Sequence, residues 1–326
     1  MLDAPTLINQ PPASLAAPGI GAALRRSFLA TRPAFFVASI FPVLVGTVWA
    51  GAAYHAFDGL LFTLALAATL LVHAATNVWN DVGDDIIGAD SDNPNRIYPY
   101  TGGSQFIQSG LLSRAYMVRL ALALATAALV IGGLLTMLRG PAVLLFGLAG
   151  LALGVLYSLP GVQLSARGVG EAAVAVGFGA LPVLGSEWLQ AGIIDRGAVL
   201  LCIPVSAWVA AIVVINEVPD IDGDRRVHKR NLVVRFGAEG ARWIYAALTS
   251  IALGASLIAV KAGVLPRWYA VPALALAAVA VWALTGISAA PAGRERLTRS
   301  IRITLAVHGI GGLSLIAAVW LARGPG

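Results

Sequence analysis

The chain has 326 residues, of which 58 % are hydrophobic and 12 % charged, with a net charge of +6 and a mean hydropathy of +0.82. That balance excludes a water-soluble fold, and the long apolar runs exclude a membrane β-barrel, whose strands alternate polar and apolar residues. One cysteine, Cys202, inside an apolar run, excludes a disulfide framework or a thiolate metal cluster.

Residues 1–24 carry Asp3 as their one charge and several prolines, so they read as a flexible N-terminal arm ahead of a single transmembrane domain over 25–326. Leu24-Arg25-Arg26-Ser27-Phe28-Leu29 is similar to a twin-arginine export signal, but a full-length span follows it, and the pair reads better as a cytoplasmic basic anchor. A spanning helix needs about 20 apolar residues. Nine segments meet that length, near 34–54, 59–79, 116–138, 141–159, 171–189, 197–216, 243–260, 268–288 and 303–322. The expected fold class is therefore an all-α integral membrane protein with nine transmembrane helices.

Nine spans put the termini on opposite sides. With the N-terminus in the cytoplasm, every one of the 22 Lys and Arg residues except Arg139, Arg196, Lys261, Arg267 and Arg323 falls on the cytoplasmic side. The N-in, C-out orientation follows. Topology and anionic lipid account for the positive charge, so no nucleic-acid partner is needed.

The carboxylates cluster. Asp81, Asp84, Asp85, Asp90 and Asp92 follow the second span, and Glu217, Asp220, Asp222 and Asp224 follow the sixth, both on the cytoplasmic side. On a continuing helix, Asn77, Asn80, Asp81 and Asp84 share one face, and so do Asn216, Glu217, Asp220 and Asp224, while Asp222 points elsewhere. Both stretches read Asn-acid-x-x-Asp, as two facing half-sites would. Bunched carboxylates repel one another and require cations. Oxygen ligands without His or Cys suit Mg2+, which binds through one or two carboxylates together with substrate phosphates. Arg225, Arg226, Lys229 and Arg230 stand beside the acids to hold remaining phosphate charge. Every other base except Lys261 is Arg, which sets Lys229 apart as a compact point charge. A salt-bridge network in two loops is the plainer alternative.

Four stretches together resemble the UbiA family of intramembrane prenyltransferases. They are Arg32-Pro33 with Phe41-Pro42-Val43-Leu44-Val45-Gly46-Thr47; Asn80-Asp81-x-x-Asp84-x-x-x-Gly88-x-Asp90; Leu156-Tyr157-Ser158 with Pro160, Leu164, Arg167, Gly168, Gly170 and Glu171; and Asn216 to Gly237. The first aspartate motif and the stretch Asn95 to Gln105 are similar to the menaquinone branch, whose members act on 1,4-dihydroxy-2-naphthoate. The resemblance implies nine helices around a central cavity, Mg2+ held by both motifs, a polyprenyl diphosphate donor, an aromatic acceptor and a bacterial inner-membrane location with the site facing the cytoplasm. It further implies that Asp81, Asp84, Asp220 and Asp224 are the catalytic metal ligands, that Asn77, Asn80 and Asn216 join them in holding the metal ions and diphosphate, as substrate-binding residues, and that Arg32, Arg167 and Lys229 contact diphosphate or acceptor. Gln163 stands where relatives often have a base.

Mg2+ and bases would neutralise the departing diphosphate, and an electron-rich ring would attack the allylic cation in a water-poor cavity. Tyr157, Tyr98, Tyr100 and Trp79 are candidates to stack on the acceptor or shield the cation, although Trp79 reads better as an interfacial anchor. His73 reads better as a hydrogen-bonded residue between helices than as a cavity group. The roles of Asp85, Asp90, Asp92, Glu217 and Asp222 are not assigned by spacing. Benzoate, homogentisate or porphyrin acceptors are alternatives within the same chemistry. A membrane phospho-alcohol transferase would need an Asp-Gly-x-x-Ala-Arg motif that the chain lacks, and an ion-coupled transporter would carry its acids near the bilayer midplane.

Overall fold

The computed structural model describes residues 13–89, 93–288, 290 and 293–323. Among these, eleven α-helices follow in order and there is no strand: α1 (Ile20–Ala30), α2 (Val37–Tyr54), α3 (Gly59–Ile87), α4 (Arg114–Arg139), α5 (Ala142–Ser158), α6 (Gly170–Ala191), α7 (Arg196–Glu217), α8 (Ile221–Arg226), α9 (Leu232–Lys261), α10 (Ala270–Ala283) and α11 (Arg294–Arg323). Eight segments are long and apolar enough to cross a membrane, and the protein is an integral membrane protein. The fourth expected span, α5, has 17 residues and rises about 25 Å, somewhat less than the hydrocarbon core. It is an apolar helix packed within the bundle.

Local chemistry sets where the helices begin and end. Asp58 accepts from the N–H groups of Leu60 and Leu61, Ser113 from Tyr116, Asp195 from Ala198 and Asn231 from Val234, each satisfying donors that a helix start leaves open. Gly88 and Gly192, both left-handed, close α3 and α6. Several helices outrun their apolar stretches. The run of 59–79 continues helically to Ile87, and 243–260 is preceded by helix from Leu232, bent at Gly237. Hydropathy reports only the lipid-embedded part, whereas backbone hydrogen bonding continues through the polar turns. The boundary expected at residue 24 falls inside α1, and Leu15 ahead of it is fully buried.

Helices α2, α3, α5, α6 and α7 surround a central cavity. Around it, α4 packs on α3, α9 on α7, and α11 on α2 and α7. At the end away from the acidic clusters, Asp195 accepts from Trp49 Nε1 at 2.9 Å and Tyr54 Oη at 2.6 Å. Burial opposes ionisation there, but hydrogen bonds from Tyr54, the Ala198 N–H and Trp49 outweigh it and hold the Asp195 carboxyl below the usual carboxylate range.

Candidate functional site

The two acidic stretches meet at the polar end of the cavity. Lys229 joins them, its Nζ 3.2 Å from Asp84 Oδ1 and 3.5 Å from Asp224 Oδ1. Asn80 donates to Asp84 Oδ2 at 3.2 Å and to Ser158 Oγ at 3.0 Å, and Asn77 donates to the Thr31 carbonyl at 2.9 Å. Asn216, Glu217, Asp220 and Asp224 all line the cavity. They do so across a change of helix type: α7 stops at Glu217, a 3₁₀ turn runs over Val218–Asp220, and α8 carries Asp224. Pro219, which has no N–H, stands at that break.

The segment 93–106 lies over this end and holds its aspartates. Asn93 donates to Asp220 Oδ1 at 2.6 Å and the Gly102 N–H to Asp220 Oδ2 at 3.0 Å. The Ser104 N–H donates to Asp81 Oδ2 at 3.1 Å. Gly102 and Ser104 are two residues apart, which keeps the Asp81 and Asp220 carboxylates within about 13 Å of each other. Gly102 has φ 64°, and a Cβ there would lie 2.9 Å from Arg96 Cβ, so glycine suits the turn.

Arg32 reaches the cavity from a left-handed backbone conformation, φ 55° and ψ 57°, uncommon for a residue with a side chain and costing about 1 kcal/mol or more. Its guanidinium donates to the Tyr100 carbonyl at 3.0 Å and lies 5.0 Å from the Phe35 ring centroid. Tyr157 lines the cavity from α5. His73 takes both of its considered places: Nδ1 lies 2.7 Å from Ser39 Oγ between α3 and α2, and the ring packs on Phe178 in the cavity wall.

Two expected site residues stand apart from the cavity. Asp81 lies about 60° round the helix from Asp84 and turns to the Ser104 N–H, so three of the four residues expected on that face line the cavity. Arg167 is exposed and folds back on the carbonyls of Gly161 and Val162. Asp85 pairs with Arg114 outside the cavity, and Asp222 is exposed beside Arg225. Asp90 and Asp92 lie outside the described residues. Trp79 packs with Val78, Val82 and Met117 at the α3–α4 contact, Tyr98 lies against Arg96, and Tyr100 meets Phe35 edge-on. Residues that spacing did not single out are Asn93, Ser158 and Asn231, the last fully buried and donating to Asp224 Oδ2 at 2.9 Å. Ser158 and Asn231 lie inside the third and fourth resembling stretches, whereas a lone Asn in a loop, such as Asn93, carries no spacing signal.

No group of three or more His, Cys, Asp or Glu converges into a ready metal cage among the described residues. Mg2+ does not require one, since it keeps waters and takes one or two carboxylates with substrate phosphates. The donor set fits that mode. Asn216 Oδ1 and Glu217 Oε2 are buried acceptors without a hydrogen-bond partner on residues that line the cavity beside Asp84 and Asp224. Beyond the polar end the wall turns apolar, with Val72, Leu153, Phe178, Val209 and Ile212. The cavity measures about 1410 Å³ counting its open mouth. It combines an anion-handling end with an apolar interior.

Comparison with known proteins gives a consistent result. The sequence model of the UbiA prenyltransferase family matches residues 39–299. The chain is 31 % identical over 224 residues to 1,4-dihydroxy-2-naphthoate octaprenyltransferase of Escherichia coli (strain K12), covering 67 % of this chain and 70 % of the relative. It is 30 % identical over 222 residues to the protein of the same name from Bacillus subtilis (strain 168), covering 68 % and 69 %. In fold it is similar to a UbiA homolog from Aeropyrum pernix K1, with a TM-score of 0.66 at 22 % identity over 85 % of this chain and 96 % of that one. A UbiA homolog from Archaeoglobus fulgidus bound to DMAPP and Mg2+ superposes with a TM-score of 0.64 at 15 % identity, covering 89 % and 99 %.

Proposed function

The chain belongs to the UbiA prenyltransferase family, and from that premise we propose that it transfers a polyprenyl group from a polyprenyl diphosphate to 1,4-dihydroxy-2-naphthoate or a closely similar aromatic ring, with Mg2+ as cofactor. The observation that carries the reading is the Lys229 bridge between Asp84 and Asp224 at the polar mouth of an apolar cavity. Family relatives named for the naphthoate reaction support the acceptor class.

The diphosphate lies at the polar end, where Lys229 and Arg32 offer positive charge and Asn77 and Asn80 offer amide groups. Asp84 and Asp224, joined by Asp220, would hold Mg2+, with Asn216 and Glu217 supplying further oxygens. When bound, the ion neutralises charge on the departing diphosphate. Lys229 and Arg32 stabilise the same developing charge, an effect that grows in a site poor in water. The apolar wall excludes water from the allylic cation, and Tyr157 and Phe178 in the cavity lining are the aromatic groups available to shield it. The carbon–oxygen bond breaks with its electron pair leaving on diphosphate, the acceptor ring attacks the resulting allylic cation to form a carbon–carbon bond, and the attacked ring carbon then loses its proton or, where it bears the carboxylate, CO2, which restores the aromatic ring.

Purified protein in lipid nanodiscs, supplied with Mg2+, octaprenyl diphosphate and a panel of aromatic acids, should release diphosphate and yield a prenylated naphthalene product. Chelation with EDTA should stop both. Release no faster than in protein-free controls with every acceptor would refute the transferase reading; prenylation of a benzoate in preference to the naphthoate would replace the acceptor alone.

A further inference from the structure

His73 presents an unused hydrogen-bonding group to the central cavity. Its ring is buried, and three contacts fix its orientation: Ser39 Oγ lies 2.7 Å from Nδ1, and the rings of Phe36 and Phe178 pack against it with centroids 5.3 and 4.5 Å away. Phe178 stands in the π-helical turn Val176–Ala180 of α6, an irregularity that recurs at functional sites. Ser39 is wholly buried, and its hydroxyl makes no other hydrogen bond among the described residues. A buried hydroxyl needs an acceptor, so Oγ–H donates to Nδ1, and the imidazole proton then sits on Nε2. Nε2 has no hydrogen-bond partner among the described residues, and it is open to the cavity that the ring lines.

Depth limits what can accept from this N–H. His73 lies about 16 Å along α3 from Asp84, and one turn, about 6 Å, beyond Asn77, the innermost α3 residue assigned above to the diphosphate. The apolar wall beyond the polar end offers no acceptor, and the donor's tail, a hydrocarbon, offers none either. An aromatic acceptor with ring oxygens does. Lys229 and Arg32 draw its carboxylate toward the polar end, which sets the carboxylate-bearing edge of the ring beside the carbon that leaves diphosphate. The oxygen on the far side of the ring then points inward, toward His73. An N–H left unpaired in an apolar wall is costly, so the site favours the ligand that pairs it. We propose that His73 sets acceptor specificity by donating from Nε2 to the inward ring oxygen, the 4-hydroxyl of a 1,4-dihydroxy-2-naphthoate, with Ser39 as the positioning residue that keeps the proton on Nε2. This inference rests on the acceptor reading above and adds to it the group that is recognised.

Titration calorimetry on protein in nanodiscs, with Mg2+ and inorganic diphosphate and without oxygen, compares 1,4-dihydroxy-2-naphthoate with 1-hydroxy-2-naphthoate, which lacks only the inward oxygen. Wild type should bind the dihydroxy ligand about tenfold more tightly. In His73→Leu the two ligands should bind within twofold of each other, because the dihydroxy ligand alone loses a partner. His73→Gln, whose amide N–H reaches a similar point, should keep at least a fivefold preference. Ser39→Ala, which frees the proton to move to Nδ1, should cut the preference to threefold or less. Equal affinities in wild type, the result expected where a water takes Nε2, overturn the proposal, as does binding of neither naphthoate. A preference that survives in His73→Leu overturns it too, and so does one lost alike in His73→Gln and His73→Leu, the mark of a packing role. Should His73→Leu not fold, Ser39→Ala decides, and a preference unchanged there overturns the assignment. Because the readout is binding, it stands apart from turnover: a chain that discriminates through His73 yet releases no diphosphate refutes the transferase reading alone, and one that turns over without discriminating refutes this inference alone.

Discussion

Lys229 sits between two carboxylates drawn from stretches far apart in the chain, and its ammonium group offsets the repulsion that Asp84 and Asp224 would otherwise exert on each other. Because Lys229 keeps one carboxylate when the other is lost, Asp84→Asn should fold, with a melting temperature within a few degrees of wild type. Turnover should nevertheless drop by about 10²–10³, the usual effect of losing one electrostatic group at a reacting centre. Near-wild-type turnover would remove Asp84 from the proposed site. The acids were legible as clusters because carboxylates are scarce in this chain, but their directions were not. Asp81 carries the same side chain as Asp84, yet the Ser104 N–H claims it, and Arg167 finds backbone carbonyls in its own loop. A side chain on the flank of a helix turns toward whichever neighbour offers a partner, and that neighbour is distant in sequence.

Helix contacts in this bundle depend on small residues that allow backbones to approach. Gly83 is the clearest instance: a Cβ there would lie 2.7 Å from the Ser158 carbonyl oxygen, at the α3–α5 contact that also lets Asn80 reach Ser158. Gly83→Val should destabilise by about 1–3 kcal/mol, as overpacked positions do, and lower activity beyond what the lost stability explains. Gly254→Ala on α9, where an added Cβ meets nothing within 4 Å, should be neutral or stabilise by up to about 1 kcal/mol. Thermal unfolding in detergent, read beside turnover, separates the two cases. Hydropathy located each spanning element but missed the extensions of α3 and α9 and the π turn in α6. Those features lie in polar turns or in helix geometry, where apolar content carries no signal.

From the distribution of basic residues, the N-terminus and the acidic end of the bundle are expected in the cytoplasm. Single-cysteine reporters test this directly, since the native Cys202 is buried. Ala262→Cys, in the exposed turn after α9, should react with a membrane-impermeant maleimide added outside intact cells, and Ser109→Cys, in the exposed segment before α4, should react only after lysis. The reverse pattern would invert the orientation. A donor with a long tail requires a site open to lipid as well as to water. In the bundle, a polar end and an apolar wall share one cavity.

Composition alone committed this chain to the membrane and to helices, since lipid offers no partner for an unpaired backbone group. The spacing of Asn and Asp marked two half-sites, and four resembling stretches pointed to the family. Only the tertiary structure decided which side chains line the cavity and that Asn93, Gly102 and Ser104 hold Asp220 and Asp81. Apolar runs and helical periodicity are local properties readable along one segment. A cavity is what remains between several segments after they pack, so no single stretch encodes its shape.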